Sequence, residues 1–97
     1  MSYRAYIYDI RHRQMGMIED SSIRSLRVKA VRKWRPTLLA GGYVEFFDTK
    51  GTRMWTIDYD RVFEEFVQRS MTDSRVITVR EIHADGSLGK ILDKERL

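Results

Sequence analysis

Hydrophobic and polar residues alternate along much of the chain, and two segments show the wider spacing of a helix. The first segment, SYRAYIYDI, is rich in strand-forming residues, and MGMIE follows it after the polar run RHRQ. These two runs predict a β-hairpin. YVEFF and RMWTI predict a second hairpin, because DTKGT between them supplies Gly51 for a backbone conformation with positive φ.

The segment between these hairpins has the spacing of an amphipathic helix. Its apolar residues fall on one helical face: Ile23, Leu26, Ala30, Val31 and Trp34. Asp20, Ser21 or Ser22 can cap the first turn, and Pro36 is expected to end the helix. A strand is the alternative, since Leu26, Val28 and Ala30 alternate. Val31 and Trp34 break that alternation, so we prefer the helix.

The segment DYDRVFEEFVQRSM predicts a second helix, with Asp58 or Asp60 as its cap. One helical face would carry Val62, Phe63, Phe66, Val67 and Ser70. RVITVREIH and LGKIL flank the turn ADGS and predict a third hairpin. Residues 93–97 are expected to form an exposed, frayed tail.

The order ββ-α-ββ-α-ββ predicts one α+β domain over residues 1–97. We expect an antiparallel sheet of about five to six short strands with the two helices packed on one face. A weak internal echo occurs at an offset of 39, where Tyr8-Asp9 matches Phe47-Asp48 and Ile18 matches Ile57. Either a duplication or the pattern common to any hairpin explains it, and both explanations stay open at this point.

Composition indicates an ordinary globular protein. The 97 residues are 42% hydrophobic and 33% charged, and they include no cysteine. The absence of cysteine excludes disulfides and thiolate chemistry and permits a reducing compartment. There is no run of signal-peptide or membrane-spanning length, so we expect a cytoplasmic protein that does not enter a membrane.

The net charge of +4 is unevenly distributed. Residues 1–40 contain nine lysines and arginines against three acids, whereas residues 41–97 contain nine against eleven. Within SIRSLRVKAVRKWRP there are six basic residues and no acid. This asymmetry indicates either an anionic partner or basic and acidic halves that face each other within the chain or across a dimer.

The basic residues of the predicted first helix are the principal candidates for partner contact. Arg27 falls among the apolar residues, and its stem is expected to extend to the edge of the buried face. The candidate set consists of the other cations of this segment and two arginines of the polar run RHRQ: Arg24, Lys29, Arg32, Lys33, Arg35, Arg11 and Arg13. Such residues neutralise phosphates or meet acidic protein surfaces. A solvated helix face is the alternative.

No motif for reading a base sequence accompanies these cations. The basic helix is flanked by hairpins, and the helix-turn-helix, zinc-finger and basic-zipper patterns are absent from the sequence. Any nucleic-acid binding would therefore depend on phosphate contacts. We predict a non-enzymatic binding or regulatory protein whose partner is nucleic acid or an acidic surface of a nucleic-acid-handling protein. An inhibitor or regulator from a bacterium or mobile element is one form of it.

Aromatic residues on the predicted strands provide the alternative function. Tyr43 and Phe47 share one face of their strand, and Tyr6 lies in the first strand. Exposed aromatics of this kind stack on bases or anchor protein interfaces, so a self-associating scaffold or homodimer is a second hypothesis. Packing between neighbouring strands is the structural alternative for most of them.

Catalysis is the least supported function. His12 and His83 lie near Asp9 and Asp85, but no nucleophile motif or set of metal ligands accompanies either histidine. The glycines do not form a phosphate-binding loop. We therefore expect no enzyme activity, no metal and no cofactor, and a small enzyme built around His12 or His83 is the remaining alternative.

Overall fold

A computed structural model describes residues 2–62, 64–70, 76–83 and 85–96, with the backbone alone described at 70, 76–79 and 92–96. Seven strands and two helices follow one another along the chain. Their bounds are β1 Tyr3–Tyr8, β2 Gln14–Asp20, α1 Ile23–Lys33, α2 Arg35–Leu39, β3 Tyr43–Phe47, β4 Arg53–Asp60, β5 Glu65–Ser70, β6 Val76–Ile82 and β7 Leu88–Arg96.

The strands form one antiparallel sheet in the order β2-β1-β3-β4-β5-β6-β7. The α+β class is confirmed, but the sheet has seven strands rather than five or six. The element order is ββ-αα-βββββ, so both helices lie between β2 and β3. β1 is therefore an interior strand, and β2 forms one edge of the sheet.

The first predicted helix is confirmed as α1. Ser22 caps it, because its side chain accepts a hydrogen bond from the backbone N–H of Ser25 at 3.3 Å. Leu26, Ala30 and Val31 are buried, as the helical spacing predicts. Pro36 does follow the end of α1, but it lies in the first turn of α2, where a missing N–H costs nothing.

The predicted helix over DYDRVFEEFVQRSM is wrong for the part of this segment that the structure describes, which excludes Phe63, Met71 and the side chain of Ser70. Asp60 accepts a hydrogen bond from the N–H of Val62 at 2.9 Å, and Glu64 has a φ of 58°, so the chain turns instead of starting a helix. β5 then begins. Its neighbouring residues Phe66 and Val67 are both buried, and strand geometry places them on opposite faces of the sheet. Two adjacent apolar residues fit one helical face or two buried sheet faces equally well.

The third predicted hairpin is confirmed, whereas the frayed tail is not. β7 continues to Arg96, which pairs with Val76 of β6. Residues 93–96 thus supply backbone hydrogen-bond partners for β6. Residues 93–96 are therefore part of the sheet and not a separate tail.

The buried core lies between α1 and the inner face of the sheet. Strands β1, β3 and β4 contribute Ala5, Ile7, Val44, Phe46 and Ile57. The turn between β6 and β7 also packs against α1, where a Cβ atom at Gly86 would lie 2.3 Å from the Cα of Val28. Because β2 and this turn belong to opposite ends of the sheet, yet both reach α1, the sheet curves around the helix.

The internal echo has a local structural explanation. Residues 9–13, 48–52 and 83–87 form turns with the same pair of backbone hydrogen bonds. In each turn the fourth residue has positive φ: His12, Gly51 and Gly86. Asp9 and Asp48 both accept N–H groups of their own turn. A shared turn geometry therefore accounts for the matching Asp9 and Asp48, and the helix expected after the second copy does not form.

Candidate anion-binding surface

The exposed side of α1 carries four cations. We name the set of Arg24, Lys29, Arg32 and Lys33 the basic helix face; all four residues are exposed. They point outward because the apolar residues of the same helix are fixed against the sheet. From Arg24 to Lys33 the face extends about 14 Å along the helix axis, given the rise per residue.

One cation of this face is already paired within the protein. Lys29 Nζ lies 2.6 Å from a carboxylate oxygen of Asp20. Hydrogen bonds from Lys29, from the Ser22 N–H and from the Ser25 hydroxyl lower the pKa of Asp20 from its ordinary value of 3.8 to about 2. Asp20 therefore stays ionised at neutral pH, connects the end of β2 to α1 and offsets part of the charge of the face.

The other three cations are free to meet an external charge. Within the described parts of the chain, Arg24, Arg32 and Lys33 have no carboxylate within 4.0 Å. Hydrogen bonds from Ser87 lower the pKa of Asp85, and the charge of Arg32 is a minor further cause. The face thus retains positive charge.

Arg27 is separated from the basic helix face. Its Nε donates to the backbone oxygen of Gly86 at 2.9 Å, and its guanidinium lies 5.8 Å from the ring centroid of Trp55. Burial lowers the pKa of Arg27 from its ordinary value. This arginine joins α1 to the β6–β7 turn, so its role is structural.

The remaining cations of the predicted set lie on other elements. Arg35 begins α2 and lines a cleft of about 290 Å³ together with Glu64, Glu65 and His83. Arg11 and Arg13 lie in the β1–β2 turn, and Arg13 pairs with Asp9 at 2.9 Å.

A groove beside the basic helix face was not predicted from the sequence. It has a volume of about 450 Å³ and lies between Ile18 of β2 and three side chains of α1: Lys29, Arg32 and Lys33. β2 is the edge strand here, and its methionines are exposed, Met15 by 61% and Met17 by 43%. The strand order that places β2 at the edge does not follow from the sequence pattern, which therefore did not point to this groove.

The predicted aromatic contacts gather on the outer face of the sheet. Tyr6 and Phe47 have ring centroids 5.3 Å apart in an edge-to-face arrangement, and Tyr8 stacks on Tyr43 at 5.1 Å. We name these four residues the aromatic outer face. Burial, with the Glu45 carboxylate as a second cause, raises the pKa of Tyr8 and of Tyr43. Since α1 covers the inner face, these aromatics and the basic helix face lie on opposite sides of the sheet.

Neither histidine side chain pairs with the aspartate that lies near it in the sequence. His12 Nδ1 shares a hydrogen bond with the Tyr43 hydroxyl at 3.0 Å, and His83 Nδ1 lies 3.3 Å from Glu81. Asp9 and Asp85 accept hydrogen bonds from their own turns instead. No His–Asp dyad therefore exists between the described side chains of these pairs.

Three further findings bear on function. Over the ranges that the structure describes, no cluster of three or more His, Cys, Asp or Glu residues has metal-binding geometry. None of the helices in that part of the chain has the length and apolarity needed to cross a membrane. No protein-family model, curated protein or solved structure matches the chain. Function therefore has to be inferred from the surfaces described above.

Proposed function

We propose that the protein is a non-enzymatic binding module that engages an anionic macromolecule through the basic helix face. The partner is a nucleic-acid backbone or an acidic surface of a protein that handles nucleic acid. Binding at such a face would let this small domain act as a regulator or inhibitor by occupying a charged surface.

The observation that supports this proposal is the unequal pairing of cations. Arg4, Arg13 and Lys29 each have a carboxylate partner within 3.4 Å. Arg24, Arg32 and Lys33 lie on one helix and, in the described part of the chain, have none within 4.0 Å. Like charges on one helix repel each other, and an anionic partner relieves that repulsion.

The geometry favours charge recognition over base reading. α2 follows α1 directly but has five residues, which is too short for a recognition helix. The exposed polar residues of the face are cations, which contact phosphates or carboxylates. Affinity should therefore depend strongly on salt and weakly on base sequence.

A charge-reversal titration tests the proposal. We expect wild type to bind a labelled DNA duplex, a single strand or a poly-glutamate chain, and the Arg32→Glu/Lys33→Glu variant to bind at least about tenfold more weakly. The control reverses two exposed cations in the β3–β4 and β4–β5 turns, Lys50→Glu/Arg61→Glu, which makes the same change in net charge.

The affinities of wild type and of the two variants are compared over a range of salt concentrations. Three phosphate contacts, one for each unpaired cation of the face, predict a log–log slope of roughly −3 with a duplex, and an acidic chain should give a shallower slope. Equal affinities for wild type and both variants would contradict the proposal. Equal losses in both variants would show that net charge, and not this face, governs binding.

Self-association through the aromatic outer face is the second candidate. The observation that favours it is the position of Met17, which is 43% exposed and pairs with Tyr6 across β1 and β2. An apolar side chain beside a row of aromatics is typical of a protein interface. The two candidates use opposite sides of the sheet, so separate mutations can test them.

A further inference from the structure

The edge of the sheet at β2 has the features of a site that accepts an additional strand. β2 ends the strand order and is seven residues long. In the ranges that the structure covers, no strand pairs with the edge of β2 that faces away from β1. An edge strand presents a row of N–H and C=O groups, and proteins commonly block such edges with lysine or proline. β2 contains neither residue.

A strand added at this edge would meet two different environments. On the inner side of the sheet, its side chains would lie over the groove of Ile18, where Arg32 and Lys33 bring positive charge from α1. On the outer side, the alternate side chains would lie beside Met17. Side chains alternate between the faces of a strand, so the complementary sequence alternates acidic and apolar residues.

Charge decides between the occupants of this edge. Antiparallel pairing of β2 with a second copy would place two basic helix faces side by side, which like-charge repulsion disfavours. A nucleic acid offers charge but no ladder of amide groups. An extended acidic segment of a protein offers both.

We propose that β2 and the adjacent groove bind an extended acidic segment of a partner protein by strand addition, with its acidic side chains toward Arg32 and Lys33. This inference rests on the proposed function, because it requires the basic helix face to bind anions. It narrows the partner to a protein whose segment alternates acidic and apolar residues over about the length of β2, seven residues.

N-methylated peptides provide the test. The probe is a labelled seven-residue peptide of alternating glutamate and valine, measured by fluorescence anisotropy against the full chain. One derivative is N-methylated at two glutamates and another at two valines. In a strand, the N–H groups of alternate residues point to the same side, so only one derivative blocks pairing with β2. The two derivatives have the same charge and the same number of methyl groups.

We expect one methylated peptide to bind at least tenfold more weakly than the parent, and the other to bind within about threefold, as strand pairing on one side requires. Amide resonances of residues 14–20 should shift with the parent peptide. Equal affinities of both derivatives would overturn strand addition, while continued sensitivity to Arg32→Glu/Lys33→Glu would leave the proposed function intact. Equal binding of the parent peptide by wild type and by that variant would instead contradict the proposed function.

Discussion

Replacing Gly86 with alanine tests how the sheet is held around α1. Gly86 has a φ of 89°, and an added Cβ would lie 2.3 Å from the Cα of Val28 and 2.9 Å from the backbone oxygen of Arg27. These neighbours are helix backbone, so they cannot move aside as a flexible side chain would. The β6–β7 turn must therefore lift away from α1.

Two separate costs determine the size of the effect. An alanine at positive φ costs about 1–2 kcal/mol. Lifting the turn also breaks the hydrogen bond from Arg27 Nε to Gly86. A hydrogen bond from a charged group contributes about 1.5–3 kcal/mol. We therefore expect Gly86→Ala to lower the free energy of unfolding by about 2.5–5 kcal/mol, measured by urea denaturation followed by circular dichroism.

Gly51→Ala is the matched control. Gly51 has a φ of 83° at the equivalent place in the β3–β4 turn, but a Cβ there would meet no atom within 4 Å. It should show the backbone cost alone, about 1–2 kcal/mol. Equal losses of stability in the two variants would refute the packing of the β6–β7 turn on α1.

Three further predictions concern the fold, the pH dependence and self-association. Phe66→Asp should abolish cooperative thermal unfolding because Phe66 is 5% exposed, whereas Val62→Asp should be nearly neutral because Val62 is 87% exposed. A large loss of stability in Val62→Asp would instead support the helix predicted over DYDRVFEEFVQRSM. Asp20→Asn should lower the free energy of unfolding at neutral pH, because the hydrogen bond from its lysine partner lowers the folded-state pKa of Asp20 to about 2. The loss of stability that wild type shows as the pH falls from about 4 to about 2 should be smaller in the variant. A pH-stability profile unchanged by the mutation would contradict this. Sedimentation of wild type at increasing concentration should show a dimer that Tyr6→Ala and Phe47→Ala weaken; a monomer at every concentration excludes the aromatic interface.

Much of the first half of the fold follows from the sequence. The cap at Ser22, the helical spacing of Leu26 and Ala30, and the glycine turn at Gly51 are local signals, and each specifies its element directly. The outer position of the aromatics could also be deduced in part, because Tyr43 and Phe47 share one face of a short strand. Here local preference and tertiary structure agree.

The strand β5 and the groove beside β2 depended on contacts that no local pattern contains. Phe66 and Val67 satisfy a helix as well as a strand, and the choice is made by pairing with β4 and β6 over long sequence distances. The groove beside Ile18 required knowing that β2, and not β1, ends the sheet. Strand order arises from the packing of the whole chain. The sequence pattern therefore predicts that the cations lie on a helix, but not that this helix lies beside the edge strand β2.

The charge swap at α1 is the most direct test of the claim that the basic helix face binds anions. Wild type should prefer the alternating glutamate–valine peptide over a lysine–valine peptide of the same length, and Arg32→Glu/Lys33→Glu should reverse that preference at low salt. Fluorescence anisotropy of the two labelled peptides against the two proteins gives the four affinities. A reversal is the result that the account predicts. An unchanged preference in the variant would contradict it, because the discrimination would then come from another part of the surface.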